Sequence, residues 1–165
     1  CYRVFKEEYN LEIEVIHHTQ FINSLIKDEK LKLTTSESTV VYHDPCELGR
    51  GMGIYSEPRE IINSIMFLQK HKYEKKNSLC CGGSLGNLVL KSSERLMITE
   101  DVVNELGKSN PDFIATACPL CKKTFMQVSE RKVFDIAEIV AKAIPVEVEK
   151  QDKREEIRIL EEELV

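Results

Sequence analysis

An α/β fold, with a mostly parallel sheet and helices on both faces, is what this sequence predicts, and two observations carry the prediction. β-Branched and aromatic runs, Thr39-Val40-Val41-Tyr42-His43 and Asp112-Phe113-Ile114-Ala115-Thr116-Ala117 foremost, alternate with segments of helical apolar spacing. Such alternation selects a layered α/β architecture. Cysteines then punctuate it, with Cys46 and Cys118 just after predicted strands and Cys80-Cys81 between them. Right-handed crossovers bring such positions to one rim, the carboxyl edge where ligands of open sheets bind.

Taken in order, Ile13, Val15 and Ile16 read as a short apolar strand, and Thr19 as the cap of a helix to Lys27 whose apolar face is Phe21, Ile22, Leu25 and Ile26. His17 and His18 at that junction project in divergent directions and are read as surface or capping residues rather than ligands. The Thr- and Ser-rich stretch 33–38 is a loop. The run at 39–43 is a central strand ended by Asp44-Pro45, since proline lacks a donor and biases its neighbour away from helix. Gly49, Gly51 and Gly53 read as a flexible loop giving backbone room. Their spacing is poor evidence for a nucleotide site, because no Walker lysine follows and no glycine opens the next helix.

Pro58 suits the first turn of a helix to about Lys70, with Ile61, Ile62, Ile65, Met66 and Leu68 on its apolar side. A charged, solvated connection over 71–77 leads to Cys80-Cys81-Gly82-Gly83, whose glycines can adopt angles closed to other residues and point amides at anionic sulfur. The following helix runs to about Leu106 and is capped by Gly107. The strand at 112–117 delivers Cys118, and Pro119 opens a helix carrying Cys121, Phe125 and Val128. Val133-Phe134 is a last short strand before a helix over 136–143, and 147–163 reads as a charged helix with Ile157, Leu160 and Leu164 at helical spacing, packed on the domain or facing solvent.

Thiolate is the nucleophile and metal ligand of proteins, so five thiols in three clusters point to metal or redox chemistry. One zinc ion takes four donors, and adjacent cysteines seldom close on a single ion, so five sulfurs with a vicinal pair suit a centre of several irons. A disulfide scaffold fits poorly with a chain of 165 residues that groups its thiols as CC and CxxC. The formal net charge of −5 leaves no basic footprint for nucleic acid, and no apolar run reaches the ~20 residues of a membrane span. A cytoplasmic protein is expected, peripheral to a membrane only through a partner subunit.

The complete pattern is C-x33-CCG-x35-CxxC, together with His43-Asp44-Pro45-Cys46-Glu47-Leu48-Gly49-Arg50 and Tyr55-Ser56-Glu57-Pro58-Arg59-Glu60. This resembles the cysteine-rich CCG domain of heterodisulfide reductase B and D subunits and of the iron–sulfur subunits of glycolate oxidase, anaerobic glycerol-3-phosphate dehydrogenase and lactate-utilisation systems. The resemblance spans residues 40–144. It implies a Rossmann-like fold with the cysteines at one rim. It also implies a 4Fe–4S cluster, noncubane in heterodisulfide reductase, on Cys46, Cys80, Cys81, Cys118 and Cys121, with Gly82 and Gly83 as backbone support. Other redox subunits, a flavoprotein or a ferredoxin-type iron–sulfur protein, are the implied partners, and the isolated domain is expected to be inactive alone. Zinc on four of the cysteines is the alternative cofactor, and a thioredoxin-like use of Cys118-Pro119-Leu120-Cys121 is a third reading that leaves Cys46, Cys80 and Cys81 unexplained. Arg50 and Arg59 suit an anionic substrate or partner subunit, and equally a surface or helix-terminal role.

Family members carry such repeats in tandem, and the chain echoes itself: Cys1-Tyr2-Arg3-Val4-Phe5 resembles Cys121-Lys122-Lys123-Thr124-Phe125, and residues 14–22 resemble 132–140. The resulting division is a tail of a preceding repeat over 1–38, the cluster-binding domain over 39–145 as a C-terminal repeat, and a charged appendage over 146–165. A start at Cys1 without methionine suggests a piece of a longer chain, in which Cys1 would be the last cysteine of that preceding repeat and, alone, an orphan thiol.

Overall fold

In the computed structural model, which describes residues 2–9 and 11–145, the run Thr39–His43 forms strand β1 in the interior of a four-stranded sheet. Its companions are β2 (Phe67–Gln69), β3 (Phe113–Thr116) and β4 (Lys132–Asp135), in the order β2-β1-β3-β4, and every neighbouring pair is parallel. A parallel sheet must be covered on both faces, and the pleat sorts its side chains accordingly. Val40, Tyr42 and Ala115 enter one core, while Val41, Ile114 and Val133 enter the other.

The first core is closed by Ile61 and Ile62 of helix α4 (Ser56–Asn63) and by Ile136, Ile139 and Val140 of α7 (Ile136–Ala143). Helix α2 (His18–Lys27) packs across both. The second core is closed by Val102, Val103 and Leu106 of α5 (Ser92–Gly107) and by Cys121 and Phe125 of α6 (Pro119–Phe125). The predicted α/β architecture with helices on both faces is therefore the one observed. Local chemistry fixes several ends: Asp135 accepts from the Ala137 amide at 2.9 Å while Glu138 accepts from the Asp135 amide at 2.9 Å, a capping box at the start of α7.

Several local expectations change. Residues 13–16 form no strand, since Ile13 is 72% exposed and Ile16 47% exposed and no neighbouring strand pairs with them. His17, not Thr19, caps α2: its Nδ1 accepts from the Thr19 amide and its own amide donates to Gln20, which leaves Thr19 buried in the first turn. The helix from Pro58 stops at Asn63, and the chain after it becomes edge strand β2, with Phe67, Leu68 and Gln69 in register with Thr39, Val40 and Val41. Gly49–Met52 is a short helix, α3, rather than a loop, closed by Gly53 in the left-handed region. Gly107 is the last residue of α5 and is not left-handed; the chain turns at Asn110, whose φ is 51°.

A further short helix, α1 (Tyr2–Glu7), precedes α2. Among the described residues no helix is long and apolar enough to cross a membrane. Cys1 and the predicted helix over 147–163 lie outside the described residues.

Candidate metal centre

All three cysteine groups leave the carboxyl ends of strands. Cys46 follows β1 by three residues, Cys118 follows β3 by two, and Cys80-Cys81 lies on the connection between β2 and α5. Cys81 and Cys121, each 3% exposed, are part of the second core; Cys46, Cys80 and Cys118 are half-buried beside them. Packing against α5 and α6 thus sets the depth of the sulfurs.

The thiols influence one another electrostatically: Cys121 acts on both Cys118 and Cys81, and Cys80 on Cys81. The Cys81 thiol is pushed far below the ordinary range by the Cys121 and Cys80 side chains, against the cost of burial, with help from the Gly83 amide. Its neighbours move the opposite way. Cys121 is raised by its contacts with Cys118 and Cys81 and by burial, Cys80 by Cys81 and burial, and Cys46 by burial and the nearby negative Cys81.

Main-chain amides complete the cradle, from Glu47 to Cys46, Gly82 to Cys80, Gly83 to Cys81, and Leu120 and Cys121 to Cys118. These last two are the free amides at the start of α6, where a helix favours anionic sulfur. The Cys121 thiol and these amides lower Cys118 to about 6 against the cost of burial. In metal-free protein, the alkylation of Cys118 by iodoacetamide should accordingly rise with pH through a midpoint near 6 rather than near the ordinary thiol value. Peptide mapping of the labelled protein checks this, and a midpoint above about 8 would contradict it.

The CCGG loop owes its shape to α5 and α6. Gly82 has a φ of 88°, and a Cβ there would stand 2.6 Å from Thr99 Oγ1 and 2.8 Å from the Arg95 carbonyl. Thr99 Oγ1 donates toward the Cys81 carbonyl at 3.0 Å, tying the loop to α5. Gly83 fits against Thr124 of α6 with no room for a side chain.

Several positioning residues were invisible in sequence. Asp44, 2% exposed, holds Arg59 through two bonds of 2.6 and 2.7 Å and also accepts from the Lys75 amide at 2.8 Å. Ser78 Oγ donates to the Asp44 carbonyl at 2.8 Å, and Arg50 reaches the Ser78 carbonyl. Two residues before Cys46 are therefore bound to two residues before Cys80. Both arginines serve the chain itself here, Arg59 as partner of Asp44 and Arg50 as donor to a carbonyl. Asn87 donates to Cys80 Sγ at 3.5 Å. His43, 1% exposed, sits edge-on to Phe125 with its Nε2 unpaired; burial holds it neutral, at about 4, despite the pull of Cys81.

Among the described residues no three His, Cys, Asp or Glu side chains are arranged to hold a single ion. Five free cysteines in one neighbourhood, with main-chain amides near them, are a donor set whose chemistry suits thiolate-bound metal or redox use.

A parallel α/β domain that gathers five thiols at its carboxyl rim defines a thiolate-rich, metal- or redox-active class of protein. The chain belongs to the CCG family, the cysteine-rich domain, whose model matches residues 40–126. It is 32% identical over 164 residues to a polypeptide, designated D, of the dihydromethanophenazine:CoB–CoM heterodisulfide reductase of Methanosarcina acetivorans, covering 90% of this chain and 40% of that protein. It is 30% identical to the probable iron-sulfur-binding oxidoreductase FadF of Bacillus subtilis, over 87% of this chain and 22% of the relative. Identity is 33% to a polypeptide, designated B, of the fumarate reductase (CoM/CoB) of Methanothermobacter marburgensis, over 80% and 28%. The chain thus spans less than half the length of these curated relatives.

Proposed function

We propose that Cys46, Cys80, Cys81, Cys118 and Cys121 hold a 4Fe–4S cluster, noncubane as the family resemblance implies, in an electron-transferring subunit of a heterodisulfide reductase-like oxidoreductase. The observation that carries this reading is the placement of five free cysteines on three segments that follow strands of one parallel sheet, with Cys81 and Cys121 buried in the core beneath them. Iron–sulfur proteins and oxidoreductase subunits among its relatives support it. When bound, such a cluster supplies electron transfer to thiol/disulfide or 2-hydroxyacid-linked chemistry.

The chain's own residues prepare the site. Cys46, Cys80 and Cys121, all held above the ordinary thiol range, carry protons that must leave on loading, so cluster assembly is favoured by rising pH. Amides from the CCGG loop and from the start of α6 stabilise the thiolates and tune their basicity. Half-buried Cys46, Cys80 and Cys118 form the outer side of the site, where a flavoprotein or ferredoxin-type partner would exchange electrons. Substrate chemistry then belongs to the assembled complex, and the chain alone is inactive.

Anaerobic reconstitution should give a brown protein with about four irons per chain and a cluster EPR signal in one oxidation state. Serine at any of the five positions should reduce iron content or change the spectrum, whereas Cys1→Ser should do neither if that residue belongs to a preceding repeat. Colourless protein with stoichiometric zinc, despite exclusion of oxygen, would replace this reading with the structural one. Iron that depends on Cys118 and Cys121 alone would sink the five-ligand set.

A further inference from the structure

The edge of the sheet opposite the cysteines is also concave. A cavity of about 250 Å³ opens beside Phe113, the first residue of β3, and Phe134 of β4, between the 34–38 loop and α7. Its apolar part is Phe113 and Phe134, an edge-on pair with ring centroids 5.3 Å apart, backed by Ile139 and Ala143. Its polar part is the hydroxyl loop of Thr35, Ser36 and Ser38. Lys142 stands where the two meet, its Nζ 3.8 Å from the Phe134 ring centroid.

The chemistry of this lining is one-sided. Among the described residues Lys142 makes no ion pair, and the nearest acid of its own helix, Glu138, is already taken by Lys122 at 2.6 and 2.7 Å. Thr34 Oγ1 is spent on the Ala143 carbonyl, and Ser36 is bonded to Ser38, which fixes the loop's shape while leaving hydroxyl oxygens at the rim. An apolar floor with a cation and hydroxyls on one wall is how small-molecule sites orient an amphipathic ligand. The cation selects an anionic head, and the aromatic pair selects a flat or short apolar body.

We infer that this cavity binds a small carboxylate with a ring or short acyl body, its carboxylate against Lys142 and the hydroxyl loop and its body against Phe113 and Phe134. The site shares no residue with the thiolate rim. Its lining residues are all distinct from the cysteines proposed to hold the cluster, so its ligand would bind apart from that site.

The probe is sodium benzoate, titrated into the full-length ¹⁵N-labelled chain with the cysteine site in its native state. Saturable shifts should appear at the amides of residues 34–38 and 142–143, with a dissociation constant on the order of 1 mM. Lys142→Gln should weaken binding roughly tenfold and Lys142→Arg should restore most of it. Both leave iron content unchanged, because Lys142 is exposed and remote from the cysteines. The inference is overturned by an absence of saturable shifts in the intact chain, by equal binding of benzyl alcohol, or by indifference to Lys142→Gln. None of these results bears on the cluster, whose iron content is read separately.

Discussion

An Asp44→Asn protein is expected to lose about 3–5 kcal/mol of folding stability, a large part of the total for a domain of this size. The carboxylate is 2% exposed and the Arg59 side chain 13%, so removing one charge leaves a guanidinium without its partner where water cannot replace it. The guanidinium also lies over the Tyr42 ring, 5.2 Å from its centroid, which fixes it in place after its partner is lost. Arg59→Met combined with Asp44→Asn should recover part of the loss, because the isolated charge is gone and the methionine can pack on Tyr42. Recovery stays incomplete, since Asp44 also accepts the Lys75 amide at a residue with φ of 56°. Anaerobic urea unfolding of the three proteins checks this, read as a shift in midpoint at constant slope. A loss below about 1 kcal/mol for Asp44→Asn, the range of an exposed pair, would sink the account.

The consequence reaches the sulfurs. Asp44 joins the end of β1 to the segment entering Cys80 through Lys75 and Ser78, and to helix α4 through Arg59. A loosened clasp separates Cys46 from Cys80 and Cys81, so the same variant should carry less iron per chain even where it remains folded.

How much of this was legible in sequence follows from the range of the forces involved. The strands at 39–43, 113–116 and 132–135 are dense in β-branched or aromatic residues, and the last two lead straight into helices started by Pro119 and by the Asp135 capping box. Local chemistry decided them. The positions of Cys46 and Cys118 after strand ends followed directly, and with them the rim. Strand β2 was hidden because Ile61, Ile62, Ile65 and Met66 continue a helical spacing that reaches into Phe67 and Leu68; parallel pairing with Thr39 and Val40 overrides it. The reverse error lies at 13–16, where apolar residues alternate well enough for a strand but find no neighbour to pair with.

Within the site, the cysteines and glycines were readable because their spacing is their signal. The bond of Asp44 to Arg59, the contact of Asn87 with Cys80 and the tie of Thr99 to Cys81 were not, because each partner is chosen only when helices α4 and α5 and the connection after β2 have docked. One clue existed: Asp44 and Arg59 both fall within the motifs that carried the resemblance, and a buried acid beside a cysteine requires a cation.

The largest effect on the cluster is expected from Gly82→Val, which should abolish its retention and destabilise the domain by about 4 kcal/mol, comparable with Asp44→Asn. Two independent costs combine. The φ of 88° lies where a β-branched residue is strained, and the new Cβ would stand 2.6 Å from Thr99 Oγ1 and 2.8 Å from the Arg95 carbonyl. The carbonyl belongs to helix α5 and cannot withdraw without breaking the helix, so it is the loop that must move. Moving the loop takes the Gly82 and Gly83 amides off Cys80 and Cys81 and releases the Cys81 carbonyl from Thr99. Gly86→Ala is the matched control: its φ is not left-handed, and a Cβ would find nothing closer than Ser84 Oγ at 3.8 Å. It should fold and bind iron as the parent does. Iron and sulfide per chain after anaerobic reconstitution, with circular dichroism to score folding, separate the outcomes. Parental iron content in Gly82→Val would mean that the CCGG loop, held against α5 and α6, does not set the sulfur positions.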